Sequence, residues 1–422
     1  MEGLGFARSR EYWARFGWGV LIGFLAALGV LGFNYVMNLG LTALWPEDTG
    51  AEPFSGSIWI TAILTVAGLI VGLIHHFMEA EDVDAVTGIV SGKINTKPIP
   101  GGLLASLVSL VGGFSVGPEV PSGMLAGGLA QWISERRDAS DEDRKSNITS
   151  GIASAYGGLF TAPLGSVLIP FELPHRQSLA FYGNMVIAGA AATIGFLVFF
   201  IAGSDQFAGL LRLLDLPTYS LLPWHVVLAV PLGILGGLLS ATYGLSMGVF
   251  KRLVKPLDRM PIVRNTLAGF LLGLLGFALP LTLFLGSDGL VTVTENAPEL
   301  GVALLIVYVF AKILATSGAI STGFIGGPIF PLFFVGGTAG TVVSLIFPEI
   351  PVALAVGCMM AAVTAGVIPI PLALGVYTIL IVGLPLTEAV PVLLAGFISF
   401  LIMKGLIAKT HKAPPPEAGA QG

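Results

Sequence analysis

Charged side chains are scarce in this chain of 422 residues, because Asp, Glu, Lys and Arg together make up only 11% of it. Hydrophobic residues make up 55%, and the mean hydropathy is +0.89. About a quarter of an ordinary soluble domain is charged, so the composition excludes that class and indicates a membrane protein. The single cysteine, Cys358, excludes an intrachain disulfide and is expected to pack as a small apolar side chain.

The residue patterns of metal-dependent and hydrolytic enzymes are missing as well. Three of the five histidines stand alone, and a helix would direct the adjacent pair His75 and His76 about 100° apart. No H-E-x-x-H, C-x-x-C, G-x-S-x-G or P-loop motif occurs. We therefore expect no enzyme activity, no metal or other cofactor and no nucleic-acid partner.

Long apolar runs are abundant. Those of about bilayer-spanning length are 17–44, 57–78, 179–203, 224–250, 265–286, 300–317, 332–347 and 386–403. Others are short or interrupted by Gly and Pro: 101–116, 122–133, 148–172 and 351–383. With 57 Gly and 27 Pro, many helices should be kinked, broken or re-entrant. Irregular backbone survives at membrane depth only inside protein or beside a water-filled path, which favours a channel or transporter.

The distribution of basic residues predicts the topology. The positive-inside rule assigns four basic clusters to the cytoplasm: Arg8 to Arg15, Arg136 to Lys145, Lys251 to Arg264 and Lys404 to Lys412. Segments 45–52 and 291–299 lack Lys and Arg and are expected outside. Both termini are then cytoplasmic, in a protein integral to the cell's inner or plasma membrane. The first apolar run is too long for a signal peptide and predicts a retained span.

The mixed-charge stretch 134–147 is expected to form a compact solvated turn between spans. It ends at Asn147-Ile148-Thr149, a glycosylation sequon that we expect to be unused because the stretch is assigned to the cytoplasm.

Two stretches carry the same Gly/Pro pattern. Gly113 to Pro121 and Gly323 to Pro331 both read G-F-x-x-G-P-x-x-P, at an offset of 331 − 121 = 210 residues. A second pair, Gly158 to Leu164 and Gly366 to Leu372, has an offset of 371 − 163 = 208. These echoes predict two related halves, and paired broken helices mark the expected substrate site of a transporter.

The repeat and the apolar runs divide the chain into five parts. They are a cytoplasmic N-terminus 1–16, a first membrane half 17–203, an outer linker 204–223, a second membrane half 224–408 and a disordered cytoplasmic tail 409–422.

Glu119 lies inside the first Gly/Pro segment, between two apolar runs. A charge at that depth is costly and usually lines an ion path or pairs within the bundle. A helix that starts near Pro121 would direct its partial positive end at the space beside Glu119. An anion and the carboxylate could compete for that space, which suggests a gate; the alternative is a structural helix cap. Ile329 occupies the matching position of the second segment, so only one half carries this acid.

Three further sets of charged residues leave alternatives open. Glu172 follows an apolar run and could relay protons, place a charge at an inner mouth, or lie at the membrane edge without a function. Lys312 lies in an apolar run and is expected to be structural. An acidic cluster could repel anions, bind a cation, cap a helix or be solvated loop charge; its members are Glu79, Glu81, Asp82 and Asp84.

These motifs resemble those of the CLC family of chloride channels and chloride/proton antiporters, over residues 80 to 408. The segment around Glu119 resembles the family's G-R/K-E-G-P motif and puts Glu119 at the gating glutamate, although Pro118 and Val120 depart from it. Gly326 to Pro331 resembles G-x-F-x-P, and Phe160 to Leu164 resembles F-N-A-P-L. The chain would be a divergent prokaryotic-type member without a C-terminal regulatory domain.

The resemblance implies an all-α polytopic membrane protein with two inverted-topology repeats and broken, re-entrant helices. It also implies a homodimer in membrane lipid with one pore in each subunit. Backbone groups along the pore would face the anion, at Gly117, Pro118, Val120, Ile329 and Phe330.

Several positions depart from the family pattern. Alignment through Gly88 places Glu81 where the family has an anion-binding serine, and Pro328 offers no backbone N–H. No tyrosine follows Tyr377, so the family's C-terminal tyrosine ligand is missing. Leu173 aligns with the antiporters' internal proton glutamate, next to Glu172.

The expected function is therefore transport of a small inorganic anion, chloride by family default, gated by Glu119. Leu173 and the missing tyrosine favour a passive channel over proton-coupled antiport, whereas Glu81 and Glu172 could relay protons. A buried carboxylate prefers its neutral form, so flux should rise with external acidity. The alternatives are a cation or organic-solute transporter that uses the cluster 79–84, and a non-conducting CLC-like protein.

Overall fold

A computed structural model describes residues 9–45, 53–55, 57–175, 178–203 and 213–410. Within these ranges the chain forms sixteen α-helices and two short 3-10 turns. The helices of the first half are α1 Arg10–Leu44, α2 Trp59–Phe77, α3 Ala85–Ser91, α4 Ile99–Val111, α5 Glu119–Arg136, α6 Asp141–Leu159, α7 Pro163–Glu172 and α8 Leu179–Ile201. Those of the second half are α9 Pro223–Val254, α10 Pro261–Ala278, α11 Ser287–Glu295, α12 Ala297–Ser321, α13 Ile329–Ile346, α14 Val352–Val367, α15 Pro371–Val382 and α16 Val390–Thr410.

Some sequence-based expectations lie outside the described residues. They concern Arg8, the acidic segment 46–52, the linker residues 204–212 and the chain beyond 410.

Seven of the described helices are long and apolar enough to cross a bilayer: α1, α2, α8, α9, α10, α12 and α13. Most of them expose apolar side chains on one face, such as Phe24 on α1, Ile70 on α2 and Phe310 on α12. Helix α13 differs, because 83% of its most apolar window is buried inside the protein. The protein is thus an integral membrane protein whose second broken helix lies at its centre.

The two halves repeat one packing scheme. Helix α1 packs against α6 and α8, and α9 makes the matching contacts with α14 and α16. Likewise α5 packs on α6, and α13 packs on α14. Glycines allow close approach where the halves meet at α2 and α10, because a Cβ on Gly68 or Gly269 would overlap backbone of the other helix. The predicted all-α fold of two repeats is confirmed.

The prediction of a compact turn over residues 134–147 is wrong in length, because the turn in the structure is much shorter. Helix α5 continues to Arg136 and α6 begins at Asp141, so four residues connect them. Ser140 starts α6 early, because its hydroxyl accepts the N–H of Asp143 at 3.1 Å. Arg15 of α1 binds Asp143 at 2.6 Å and so holds this charged helix start against α1. Asn147 is buried, so its sequon is not exposed.

Residues 279–286, predicted as the end of a span, lie beyond α10, which ends at Ala278; they form a 3-10 turn at Pro280–Thr282 followed by irregular backbone. Lys312 of α12 holds this segment: its fully buried ammonium donates to the carbonyls of Leu283 at 2.7 Å and Phe284 at 2.9 Å. Two further carbonyls, of Leu281 and Thr282, lie at 3.4 and 3.2 Å. The Phe334 ring of α13 lies 5.0 Å from the ammonium. The three N–H donors of Lys312 thus serve four carbonyls, with at least one bond shared, which supports the structural role predicted for it.

The Lys312→Met substitution keeps the length of the side chain but removes its donors. We expect a loss of about 2 kcal/mol or more, since several buried carbonyls would lack a partner. Thermal denaturation of the detergent-solubilised protein measures this, with Lys251→Met as the control because Lys251 is exposed. Equal midpoints for the two variants would contradict the structural role of Lys312.

Candidate functional site

The two Gly/Pro segments meet in the centre of the protein. The N–H of Gly117 donates to the carbonyl of Gly327 at 2.7 Å, and the N–H of Gly327 donates to the carbonyl of Gly117 at 2.8 Å. These residues are equivalent in the repeat, since 327 − 117 = 210. The expectation that the two segments come together is confirmed.

A second pair of equivalent residues also touches. The rings of Phe114 and Phe324 stack with centroids 3.7 Å apart, and both side chains are buried. The residue before each ring is a glycine with positive φ, +86° at Gly113 and +98° at Gly323, a conformation that other L-residues rarely adopt. Because equivalent residues bind each other, a local two-fold axis passes between the two segments.

Each segment ends at the start of a helix that faces this axis. Helix α5 begins at Glu119 after Pro118, and α13 begins at Ile329 after Pro328. The first amides of any helix lack an intrahelical acceptor and carry its partial positive charge. Two helix starts therefore direct unpaired N–H groups and positive potential at one small region.

The Glu119 carboxylate occupies this region. Its Oε1 accepts the N–H of Ile329 at 2.6 Å, and the amides of Glu119 itself and Phe330 also act on the carboxylate. Only 2% of Glu119 is exposed, and Oε2 has no hydrogen-bond partner among the described residues. The carboxylate reaches across the local axis to the start of the opposite helix.

The glycines of the bridge leave the space that the carboxylate fills. A Cβ on Gly117 would overlap Oε2 of Glu119, and a Cβ on Gly327 would overlap Oε1 and the carbon atoms next to it. An inorganic anion at the same place would meet the same amides. The carboxylate and a free anion would therefore exclude each other.

A stack of aromatic rings borders the site. The Phe330 ring in the first turn of α13 stacks on Phe160 with centroids 5.3 Å apart, and Phe160 stacks on Tyr377 at 4.2 Å. The Tyr377 hydroxyl lies 3.0 Å from the hydroxyl of Ser166, so the two share a hydrogen bond. Phe160, in the segment that resembles F-N-A-P-L, is thus part of the wall of the site.

Tyr156 of α6 is a residue that the sequence did not single out. Its hydroxyl lies beside Gly123, one turn after Glu119 in α5. Ala85, the first residue of α3, packs against the same glycine. A tyrosine in a motif-free helix gives no sequence signal, and only the packing of α3, α5 and α6 reveals it.

The acidic cluster 79–84 separates into different environments. Glu79 forms an exposed ion pair with Lys97 at 2.5 Å. Asp84 caps α3, because its oxygens accept from the N–H of Val86 at 2.9 Å and the hydroxyl of Thr87 at 2.7 Å. No group of three or more His, Cys, Asp or Glu side chains in the described part of the chain could hold a metal ion. The cluster therefore does not form one cation site.

Glu81 and Asp82 face different regions. Glu81 lines a surface cavity of about 450 Å³, together with His75 and Arg264. Asp82, one residue later, is the member of the cluster whose charge acts on Glu119. The assignment of Glu81 to the position of the family's anion-binding serine stays a prediction.

Glu172, the last residue of α7, caps the start of α15. Its two oxygens accept the N–H of Leu372 at 2.6 Å and the N–H of Ala373 at 2.9 Å. These amides belong to the first turn of α15, which begins at Pro371. Leu173 follows as a buried apolar side chain. Through these two hydrogen bonds, Glu172 of the first half contacts α15 of the second half. The proton role considered for Glu172 and Leu173 stays a prediction.

Comparison with known proteins relates this chain to a family of ion-transport proteins. The family model described as "Voltage gated chloride channel" matches residues 63–404. "Putative ion-transport protein YfeO" of Salmonella newport (strain SL254) is 27% identical over 356 residues, which are 80% of this chain and 82% of the relative. The homologue of Salmonella paratyphi A (strain ATCC 9150 / SARB42) is 26% identical over the same shares.

Two solved structures share the fold. One is a CLC-type fluoride/proton antiporter, with a TM-score of 0.74, 18% identity and coverage of 93% of this chain and 95% of the other. The second is a slow cyanobacterial Cl−/H+ antiporter, with a TM-score of 0.77, 19% identity and coverage of 93% and 94%. At such identities the likeness concerns the fold.

The cap made by Glu172 predicts a change in stability. Glu172→Leu should lower stability by about 1–2 kcal/mol, because two amides of α15 lose their acceptor, and Glu172→Gln should lose less because one acceptor oxygen remains. Thermal denaturation in detergent measures both, with the exposed Glu349→Leu as control. A Glu172→Leu variant as stable as the control would rule out the cap as a stabilising contact.

Proposed function

The chain belongs to the voltage-gated chloride channel (CLC) family, and we propose that it moves a small inorganic anion, chloride first, past Glu119. Anion transport is the activity of the family. The choice of ion and the manner of gating are inferred from the site.

One observation supports the gate above all: the Glu119 carboxylate accepts the N–H of Ile329 where two helix starts meet. In that position it binds the donors that an anion would need, so the path is closed. Protonation removes the charge that these amides and helix dipoles stabilise. The neutral side chain then leaves more easily and a free anion takes its place.

The site suits a halide better than a larger or cationic solute. It is built from backbone amides, helix starts and aromatic rings, and the described residues place no basic side chain against the Glu119 carboxylate. The similar structures include a fluoride/proton and a Cl−/H+ antiporter. The acids of the cluster 79–84 are dispersed, so the cation-transporter alternative loses the feature that suggested it.

We favour passive conduction over antiport. Both oxygens of Glu172 accept backbone N–H groups, and Leu173 has no exchangeable side-chain proton. Glu172 and Leu173 therefore offer no free carboxylate for an internal proton relay, and Glu81 lines a separate surface cavity.

The orientation and assembly follow from charge and from the site. We place the face that carries Arg144, Lys145 and the basic stretch 251–264 in the cytoplasm, together with both termini, by the positive-inside rule. One chain supplies both Gly/Pro segments, so each subunit of the homodimer implied by the family has its own path.

The Glu119→Gln substitution tests the gate. In proteoliposomes, chloride efflux through the wild type should rise as the external pH falls, whereas the variant should conduct at a constant, high rate because a neutral side chain binds the helix starts weakly. A chloride-selective electrode records the efflux. Wild-type pH dependence in the variant would contradict the gate, and a wild type that moves no halide or nitrate would contradict anion transport.

Simultaneous recording of chloride and protons tests the passive mechanism. With an outward chloride gradient and no initial pH gradient, we expect chloride to leave at the rate set by the membrane potential without creating a pH gradient. Net proton entry that builds a pH gradient, and that is abolished by removal of the chloride gradient, would contradict the channel and establish antiport.

A further inference from the structure

His75, near the end of α2, binds the turn that opens the second Gly/Pro segment. Its Nε2 lies 2.7 Å from the carbonyl oxygen of Gly323, so the imidazole donates a hydrogen bond to that carbonyl. The two residues are 323 − 75 = 248 positions apart in the chain. Gly323 has a φ of +98° and directly precedes the ring of Phe324 that stacks on Phe114. The side chain of His75 thus connects a helix of the first half to the segment that leads to Ile329.

The equivalent carbonyl of the first segment has a different donor. Gly113 corresponds to Gly323, since 323 − 113 = 210, and its carbonyl accepts the backbone N–H of Phe284 at 3.0 Å. Every residue except proline supplies such a backbone donor. In the second segment a side chain takes this role, so the hydrogen bond depends on the identity of residue 75.

Helix α10 packs against the same turn without replacing this hydrogen bond. A Cβ on Gly323 would lie 2.6 Å from Nη2 of Arg264 and 3.5 Å from the amide nitrogen of Asn265. Arg264 donates instead to Asn265 at 3.3 Å and to Asp258 at 3.4 Å. The amide nitrogen of Asn265 is buried and has no hydrogen-bond partner among the described residues. Within those residues, His75 is therefore the side chain that holds the Gly323 carbonyl.

The turn at Gly323 lies a few residues before the contact that closes the site. Residues 324–326 have no regular structure, Gly327 forms the bridge to the first segment, and the N–H of Ile329 binds Glu119 at 2.6 Å. A short irregular stretch keeps its geometry through the hydrogen bonds that its backbone makes with its surroundings. Because hydrogen bonds weaken steeply with distance and angle, a small shift of this stretch would weaken the contact between Ile329 and Glu119.

The two adjacent histidines have different surroundings. His75 is half-buried and lines the cavity of about 450 Å³ that also contains Glu81 and Arg264. His76 is exposed, and its ring packs edge-on against Phe77 with centroids 4.7 Å apart. His76 therefore provides a control that differs from His75 by one position and by the contact to Gly323.

We propose that His75 is a positioning residue of the anion path, whose hydrogen bond to Gly323 sets the Ile329 amide for the Glu119 carboxylate and for the anion that replaces it. The proposal rests on the proposed function, because it presupposes that an anion takes the place of the carboxylate. Loss of the hydrogen bond would weaken both the closed contact and anion binding. A residue that only stabilised the fold would lower the denaturation midpoint and leave anion affinity unchanged.

Isothermal titration calorimetry with chloride tests this in the Glu119→Gln protein, where no carboxylate competes for the amide. Adding His75→Phe, which keeps a ring and removes the donor, should weaken chloride binding about fivefold, the effect of one hydrogen bond. Adding His75→Gln should preserve the affinity, because its amide nitrogen reaches the position of Nε2. The shorter side chain of His75→Asn does not reach it and should weaken binding as His75→Phe does.

The gate provides a second measurement of the same effect. In proteoliposomes, His75→Phe alone should shift the rise of chloride efflux to a higher external pH, because ionised Glu119 loses part of the hydrogen bond that stabilises it. His75→Gln should restore the wild-type profile, and His76→Phe should keep it.

Two results would overturn the proposal. One is a chloride affinity in the His75→Phe protein equal to that of its Glu119→Gln parent, whatever the change in denaturation midpoint. The other is equal affinity in His75→Gln and His75→Asn, a comparison that also decides the question if His75→Phe does not fold. The control His76→Phe should bind chloride as the parent does. Failure of the proposed function is distinguishable, since the Glu119→Gln parent would then bind no chloride.

Discussion

The reciprocal hydrogen bonds between Gly117 and Gly327 hold the functional region together. They fix the two Gly/Pro segments against each other, at 2.7 and 2.8 Å, and set the starts of α5 and α13 side by side. Glycine is required at both positions, because a Cβ on either would occupy the place of the Glu119 carboxylate. With this bridge the unpaired amides of two helices converge; without it each helix start would be an isolated buried terminus that needs its own partner.

The local symmetry explains how the pocket and the proposed gate arise. Equivalent residues contact each other at the bridge and at the stacked rings of Phe114 and Phe324. The symmetry is broken at the pair Glu119 and Ile329, where the acid from one half accepts the amide N–H from the other. A symmetric pair of acids would place two charges in one buried space, and a pair of apolar residues would leave the amides unsatisfied. One acid in one half gives the Ile329 amide an acceptor without placing a second charge in the same buried space.

Much of this arrangement could be predicted from the sequence. The Gly/Pro echo at an offset of 210 residues identified the segments that pair, because backbone breaks in apolar sequence need special residues. The depth of Glu119 in apolar sequence identified the gate candidate by the cost of burying its charge. The cap that Glu172 provides for α15 could not be predicted, because it depends on how two helices 200 residues apart meet. Tyr156 was missed for a similar reason, since its role depends on three helices that meet in space. Some helix ends in the structure also differ from the predicted ones. At α6, the Ser140 cap extends the helix into charged sequence.

The most direct test is the anomalous scattering of bromide in crystals of the wild type and of Glu119→Gln. If the carboxylate and an anion share one position, the variant will show a bromide peak within about 3.5 Å of the Ile329 amide nitrogen, and the wild type at neutral pH will show none there. An empty pocket in the variant, or a bromide beside Ile329 with the Glu119 carboxylate still in place, would contradict the competition on which the gate depends.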